Sequence, residues 1–151
     1  MKVREVMRTP VITVSAGTTY EETARILHAH GVSGAPVLDA EGRLAGIVSE
    51  KDLFRAMFPR YEDYLHEPEA YHDQEDREDE IEALRREPVE KFMTQHVITV
   101  NANACILRAG GLMLAHGLHR LPVTENGGTL AGIVTREDIY GTILKKHLGW
   151  S

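Results

Sequence analysis

The chain has 151 residues, 42% of them apolar and 26% charged, the proportions of an ordinary globular protein with room for one compact domain or two very small ones sharing a core. No run approaches the ~20 apolar residues of a membrane span, residues 1–8 hold no apolar stretch that would serve as a secretion signal, and the single cysteine, Cys105, excludes an internal disulfide and fits a reducing, cytoplasmic setting. The formal net charge of −6 is uneven: residues 58–88 hold twelve Asp/Glu against four Lys/Arg, whereas the rest holds thirteen basic against eleven acidic residues, a mild basicity that suits an anionic ligand and falls far short of a nucleic-acid footprint.

Residues 3–57 return as residues 89–143 at a constant offset of 86 positions without a gap. Val11-Ile12-Thr13-Val14 recurs as Val97-Ile98-Thr99-Val100, His30-Gly31 as His116-Gly117, and Pro36-Val37 as Pro122-Val123. Leu44-Ala45-Gly46-Ile47-Val48 recurs as Leu130-Ala131-Gly132-Ile133-Val134, followed by Ser49 with Asp52 in one copy and Thr135 with Asp138 in the other. A unit that cannot bury its own apolar face buries it against its copy, so neither half is expected to be stable alone. The organisation reads as repeat 1 over residues 1–57, an acidic connector over 58–88 and repeat 2 over 89–148.

In the first repeat, Met7 on the entering segment, like Met93 in the second, reads as a packing residue of the core or of a cleft edge. Residues 11–14 are short and β-branched and predict a strand. Thr18-Thr19-Tyr20-Glu21 offers a capping box, with Thr18 as acceptor and Glu21 reaching back. Ala24, Ile26, Leu27 and His30 follow at helical spacing, and Gly31 supplies the stop. His30 and its counterpart His116 are accounted for by a favourable place in the last helical turn. Residues 35–38 and 44–49 predict two strands joined by the turn Asp39-Ala40-Glu41-Gly42, and Ser49 opens a helix through Met57.

The connector begins with Phe58-Pro59-Arg60-Tyr61-Glu62-Asp63-Tyr64, which reads as irregular or weakly helical. Tyr61, Tyr64 and Tyr71 argue against a wholly disordered tether. His66, Glu67, His72, Asp73 and Glu75 match no zinc or EF-hand spacing and read as a solvated acidic face. Residues 76–86 predict a helix, with Ile81 and Leu84 docking one edge. The second repeat follows the order of the first, with Asn103 in place of Gly17 as helix cap, Cys105 half-buried on a helix, and Glu125-Asn126-Gly127-Gly128 as the hairpin turn. Gly110 and Gly111 fall inside its first helix at up to ~1 kcal/mol each relative to alanine, marking either a contact face or a locally weak helix. The fold class is therefore α/β (α+β): two β-α-β-β-α repeats, each a three-stranded sheet with helices on one side, closing sheet to sheet on one core with pseudo-twofold symmetry.

The junctions Gly46-Ile47-Val48-Ser49-Glu50-Lys51-Asp52 and Gly132-Ile133-Val134-Thr135-Arg136-Glu137-Asp138 admit two readings. A hydroxyl residue three before an acid is a capping box, complete as a helix explanation. The same residues stand at the carboxyl end of a strand and the amino end of a helix, where polar ligands are favoured. There an aspartate accepts two hydrogen bonds from a vicinal diol such as a ribose. Gly46 and Gly132 would leave room for a ring to approach the backbone.

With these motifs in order, twice, the chain resembles a tandem pair of CBS domains, the regulatory unit called a Bateman module. The resemblance covers about residues 1–57 and 88–148. It implies that the Ser/Thr and Asp of one repeat hold the ribose of an adenosine-type ligand while residues before the Pro-Val strand of the other repeat cover the base. One cleft would combine Thr135 and Asp138 with Thr18, Val32, Ser33 and Ala35. The other would combine Ser49 and Asp52 with Leu118, His119 and Leu121, with Arg120 beside them. His119-Arg120-Leu121-Pro122 resembles the His-Arg pair that AMP-sensing members use on phosphates, and the first repeat has Ser33-Gly34 there, so the clefts are unequal. Ala104, standing where the first repeat has Thr18, removes a hydroxyl from the Ser49/Asp52 cleft.

The implied activity is that of a non-catalytic sensor of AMP, ADP or ATP with no required cofactor, signalling to an unidentified protein partner or through a homodimer. S-adenosylmethionine is the alternative ligand, and a ligand-free structural interaction module the alternative role. Neither a nucleophile–base pair nor a phosphate-cradling glycine loop supports an enzyme, and neither a membrane nor a nucleic acid is expected as partner.

Overall fold

The computed structural model describes residues 1–58, His66 and residues 75–150. The expectations for Tyr61, Tyr64 and Tyr71, for the segment from Phe58 to Tyr64 beyond its first residue, and for Glu67, His72 and Asp73 lie outside the described residues. The elements in chain order are β1 (Val14–Ser15), α1 (Tyr20–Ala29), β2 (Gly34–Leu38), β3 (Leu44–Ser49), α2 (Glu50–Ala56), α3 (Glu75–Leu84), β4 (Val100–Asn101), α4 (Ile106–His116), β5 (Arg120–Glu125), β6 (Thr129–Thr135) and α5 (Arg136–Leu148). A short 3-10 turn opens each repeat, at Val3–Glu5 and Val89–Lys91.

Among the described residues two three-stranded sheets result, ordered β1-β2-β3 and β4-β5-β6. Val14 of β1 pairs in parallel with Val37, and Val100 of β4 with Val123, so the duplication is kept down to the register. β5 and β6 run antiparallel, with Arg120 opposite Thr135. The first strand of each repeat is shorter than expected and begins three residues later, at Val14 and Val100.

The chain divides into two compact units, one of residues 1–11, 41–44 and 96–151, the other of residues 12–40 and 45–95. The unit boundaries do not follow the repeat boundaries. In the first unit, the leading segment of repeat 1 lies on the sheet of repeat 2: the amides of Val3 and Arg4 donate to the carbonyls of Ala104 and Ala102 at 2.8 and 2.9 Å. Val3 is fully buried among Val100, Ala102, Ala109, Met113, Leu121, Val123, Val134 and Ile139. In the second unit, the leading segment of repeat 2 does the converse. The Val89 amide donates to the Thr18 carbonyl at 2.8 Å, and Val89 is buried with Val14, Tyr20, Leu27, Ala35, Val37, Val48 and Leu53. Among the described residues the buried side chains thus form two clusters, one per unit, where the sequence suggested a single core. Each sheet is closed by its own helices plus the lead borrowed from the other repeat, and burial of these aliphatic side chains is what holds each cluster.

Three local expectations shift for identifiable reasons. Thr19, not Thr18, caps α1, its hydroxyl accepting from the Glu22 amide at 3.2 Å. The Thr18 backbone is already committed, its amide to Ser15 and its carbonyl to Val89. Asn103 does not cap α4; its side-chain oxygen accepts from Arg4 Nε at 3.0 Å, and Cys105 occupies the cap position with no side-chain bond. Cys105 is exposed. The helix in the connector runs from Glu75 to Leu84, two residues short of the expected end, and Leu84 packs against the second unit's cluster as expected. Gly110 faces Ile139 of α5 at ordinary contact distance, whereas an added methyl on Gly111 would meet nothing within 4 Å.

Candidate functional site

Both strand-to-helix junctions are closed capping boxes. The Ser49 hydroxyl accepts from the Asp52 amide at 3.3 Å, and Asp52 Oδ2 accepts from the Ser49 amide at 2.9 Å and from the Ser49 hydroxyl at 3.0 Å. At the second junction the Thr135 hydroxyl accepts from the Asp138 amide at 3.2 Å, and Asp138 Oδ2 accepts from the Thr135 amide at 2.9 Å. The capping and ligand readings are compatible. In each box one carboxylate oxygen, Oδ2, is tied to the backbone, which fixes the plane of the group and leaves the other oxygen to face elsewhere. Both aspartates are part-buried.

The two junctions differ in where the hydroxyl proton and the second oxygen go. Glu137, two residues after Thr135, has a pKa below the ordinary glutamate value, first through its own amide and then through the nearby Thr135 hydroxyl. Lys51 stands at that position in the other copy. Asp138 Oδ1 accepts from Arg8 Nε at 2.8 Å. The residue equivalent to Arg8 is Thr94, which brings no charge to Asp52.

The loops ahead of β2 and β5 are pinned to the helix that follows in their own repeat. The Glu50 amide donates to the Ser33 carbonyl at 2.8 Å, the Arg136 amide to the His119 carbonyl at 3.0 Å, and Arg136 Nε to the Leu118 carbonyl at 2.9 Å. The second unit therefore brings Ser33 beside Ser49, with Val32 partly buried and Ser33 exposed. The first unit brings Leu118, His119 and Arg120 beside Thr135. Ala35 and Leu121 are 2% and 0% exposed and belong to the two clusters, so their side chains are spent on packing and only their backbones can meet a ligand. Thr18 enters through its backbone bond to Val89.

Gly46 and Gly132 do not leave space for a ligand ring. A methyl on Gly46 would stand 2.7 Å from the Met93 sulfur and 2.7 Å from the Thr94 carbonyl oxygen, and one on Gly132 would stand 2.8 Å from the Met7 sulfur. The borrowed leads fill that space, and the methionines are the packing residues expected of them. The sequence reading missed Arg8 and Arg136. The available signal was the repeat itself, because Arg8 and Arg136 stand at the positions that Thr94 and Glu50 take in the other copy. Among the described residues no group of His, Cys, Asp and Glu is placed to hold a metal ion, and no helix is long and apolar enough to cross a membrane.

The CBS domain family matches residues 3–59 and 89–145. A CBS domain-containing protein of Dictyostelium discoideum is 30% identical over 143 residues, covering 95% of this chain and 91% of that protein. An uncharacterised protein of Methanocaldococcus jannaschii is 31% identical over 156 residues, covering 95% of this chain and 92% of its own. Among solved structures, CBSX2 in complex with AMP superposes with a TM-score of 0.73 at 24% identity, covering 96% of this chain and 97% of that one. A CBS domain pair in complex with 5-methylthioadenosine and S-adenosyl-L-methionine gives 0.70 at 24% identity, covering 97% and 98%. The duplicated register, the paired junctions and these matches over both repeats agree: the chain belongs to the CBS domain family, as a tandem pair.

Proposed function

We propose that this protein is a non-catalytic regulatory module that binds an adenosine-containing ligand, AMP, ADP or ATP, through the Thr135/Asp138 and Ser49/Asp52 junctions. The observation that carries this is the split use of each carboxylate: Oδ2 is held by the backbone at 2.9 Å in both copies, so Oδ1 is presented in a fixed direction as an acceptor for a sugar diol. Ser49 and Thr135 supply hydroxyls, and residues 32–33 and 118–120 supply backbone and side chains against the base and phosphates. The assignment of each junction to a cleft completed by Thr18, Val32, Ser33 and Ala35, or by Leu118, His119, Arg120 and Leu121, belongs to the same proposal. Solved relatives holding AMP, or 5-methylthioadenosine and S-adenosyl-L-methionine, support an adenosine compound as ligand.

A ligand of this kind regulates by binding one arrangement of the protein more tightly than another, and the result must be read by a second molecule. A homodimer through the helices is supported by Leu107, Leu114 and Tyr140, which stand 66%, 78% and 65% exposed on α4 and α5. The remaining reader is an unidentified protein partner.

The test is calorimetric titration with adenosine, AMP, ADP, ATP and S-adenosylmethionine, using the full chain and the Asp52→Asn and Asp138→Asn variants. Asparagine keeps a capping oxygen while removing the charge. Binding of at least one compound, weakened about tenfold or more in one or both variants, is expected from loss of a charge-assisted bond. Absence of binding by the unmodified chain would point to a ligand-free interaction module.

A further inference from the structure

We infer that Arg8 makes the Thr135/Asp138 junction selective for phosphate-bearing adenosine ligands, while the Ser49/Asp52 junction, which lacks its counterpart, favours a neutral or cationic one. This rests on the reading of the junctions as adenosine sites and concerns which class each of them takes.

Arg8 is placed by backbone, not by chance contact. Its amide donates to the Ile133 carbonyl at 2.7 Å and its carbonyl accepts from the Ile133 amide at 3.1 Å, two residues before Thr135. From there its side chain reaches Asp138, using Nε at 2.8 Å. The side chains are 65% exposed for Arg8 and 12% for Asp138, so the acid is covered while the guanidinium projects outward. The terminal nitrogens of that guanidinium are the donors suited to phosphate oxygens.

The equivalent place in the other copy is built alike and charged differently. Thr94 makes the same pair of backbone bonds to Ile47, at 2.8 and 3.0 Å, and carries no charge. The difference extends around the junction. Arg8, Arg120, Arg136, Glu137 and Asp138 correspond to Thr94, Gly34, Glu50, Lys51 and Asp52. Three arginines and two acids leave one positive charge, whereas one lysine and two acids leave one negative charge. Asp138 can still accept from a diol, since each carboxylate oxygen takes more than one donor. Its charge, however, is matched by Arg8 and offers little to a sulfonium cation. A phosphate group gains charge-assisted bonds at the same place.

The experiment is titration of the full chain, Arg8→Thr and Arg8→Lys with AMP, adenosine and S-adenosylmethionine, with Thr94→Arg as the reverse change. Arg8→Thr is expected to lower the AMP-over-adenosine preference of the tighter AMP site roughly tenfold, the scale of one charge-assisted bond, with AMP losing more affinity than adenosine. Arg8→Lys is expected to restore part of the preference, and Thr94→Arg to raise AMP binding at the second site. Equal losses of AMP and adenosine in Arg8→Thr would make Arg8 only a support for Asp138 and overturn the inference. So would an unchanged ratio in every variant, which leaves the adenosine reading standing. Failure of the unmodified chain to bind any of adenosine, AMP, ADP, ATP and S-adenosylmethionine removes the adenosine reading itself.

Discussion

The sulfur of Met7 occupies the position that a side chain on Gly132 would need, 2.8 Å from where its Cβ would stand, with the Arg8 carbonyl oxygen at 3.0 Å. Methionine can swing aside, but a paired backbone carbonyl cannot. Gly132→Ala should therefore destabilise the protein by about 1–3 kcal/mol through overpacking. Gly46→Ala should cost at least as much, because there the Thr94 oxygen lies closer, at 2.7 Å. Urea unfolding of both variants measures this, and unchanged midpoints would refute the close approach.

Tyr20 ties α1 to α2: its hydroxyl donates to the Leu53 carbonyl at 2.7 Å and its ring meets Phe92 edge-on at a centroid distance of 5.0 Å. Tyr20→Phe should cost about 1–2 kcal/mol, because a buried carbonyl loses its donor. Burial raises the phenol's pKa above its ordinary value of 10.0. The neutral form is thus favoured in the folded chain. Its stabilising contribution is complete below the unfolded pKa and is lost as pH rises through the folded one. The alkaline fall in stability should be shallower in Tyr20→Phe, as read from denaturant midpoints across that range.

Glu21 behaves in the opposite sense. The hydrogen bonds it accepts from Arg85 at 2.9 and 3.3 Å lower its pKa from 4.5. Its contribution is present above that unfolded value and disappears as pH falls through the lower folded value. Both groups are solvent-facing, so the effect is small and screened by salt. Glu21→Gln should slightly lower the stability plateau above pH 4.5 at low ionic strength and leave the acid end nearly unchanged, which flattens the acid limb. An identical acid limb in variant and parent would count against the pair.

Thr23 is fully buried in α1 and its hydroxyl has no hydrogen-bond partner. Thr23→Val keeps the shape and removes the unsatisfied group, so it should be neutral or stabilising by up to about 1 kcal/mol. A clear drop in the thermal midpoint would show that the hydroxyl is satisfied in solution.

What was legible in the chain was what is encoded locally or by repetition. The hairpin turns, the helix stops at Gly31 and Gly117, both of positive φ, and the two capping boxes follow from residue types at short spacing. The cap of α1 stands one residue beyond the expected one because Thr18 and Thr19 are chemically alike, and the bond from Val89, in a distant segment, engages the Thr18 carbonyl. The filled space above Gly46 and Gly132 escaped for the same reason. A strand glycine signals close approach, but the sequence does not say of what, and Met93 and Met7 arrive from distant segments. The repeat singles out Arg8 as a departure between the copies, but its reach to Asp138 follows from a backbone pairing with Ile133 that joins distant segments.

The borrowed leads bear on how such a chain can have arisen and how it can be cut. A molecule with a single repeat would have no home for its own first residues except on a second molecule, so it would have to exist as an arm-swapped pair. Joining two repeats in one polypeptide makes the swap intramolecular and independent of protein concentration. A fragment ending near residue 57 would lack Val89 for its sheet and would carry Val3 as an unsheltered apolar side chain, an incomplete protein seeking its other half.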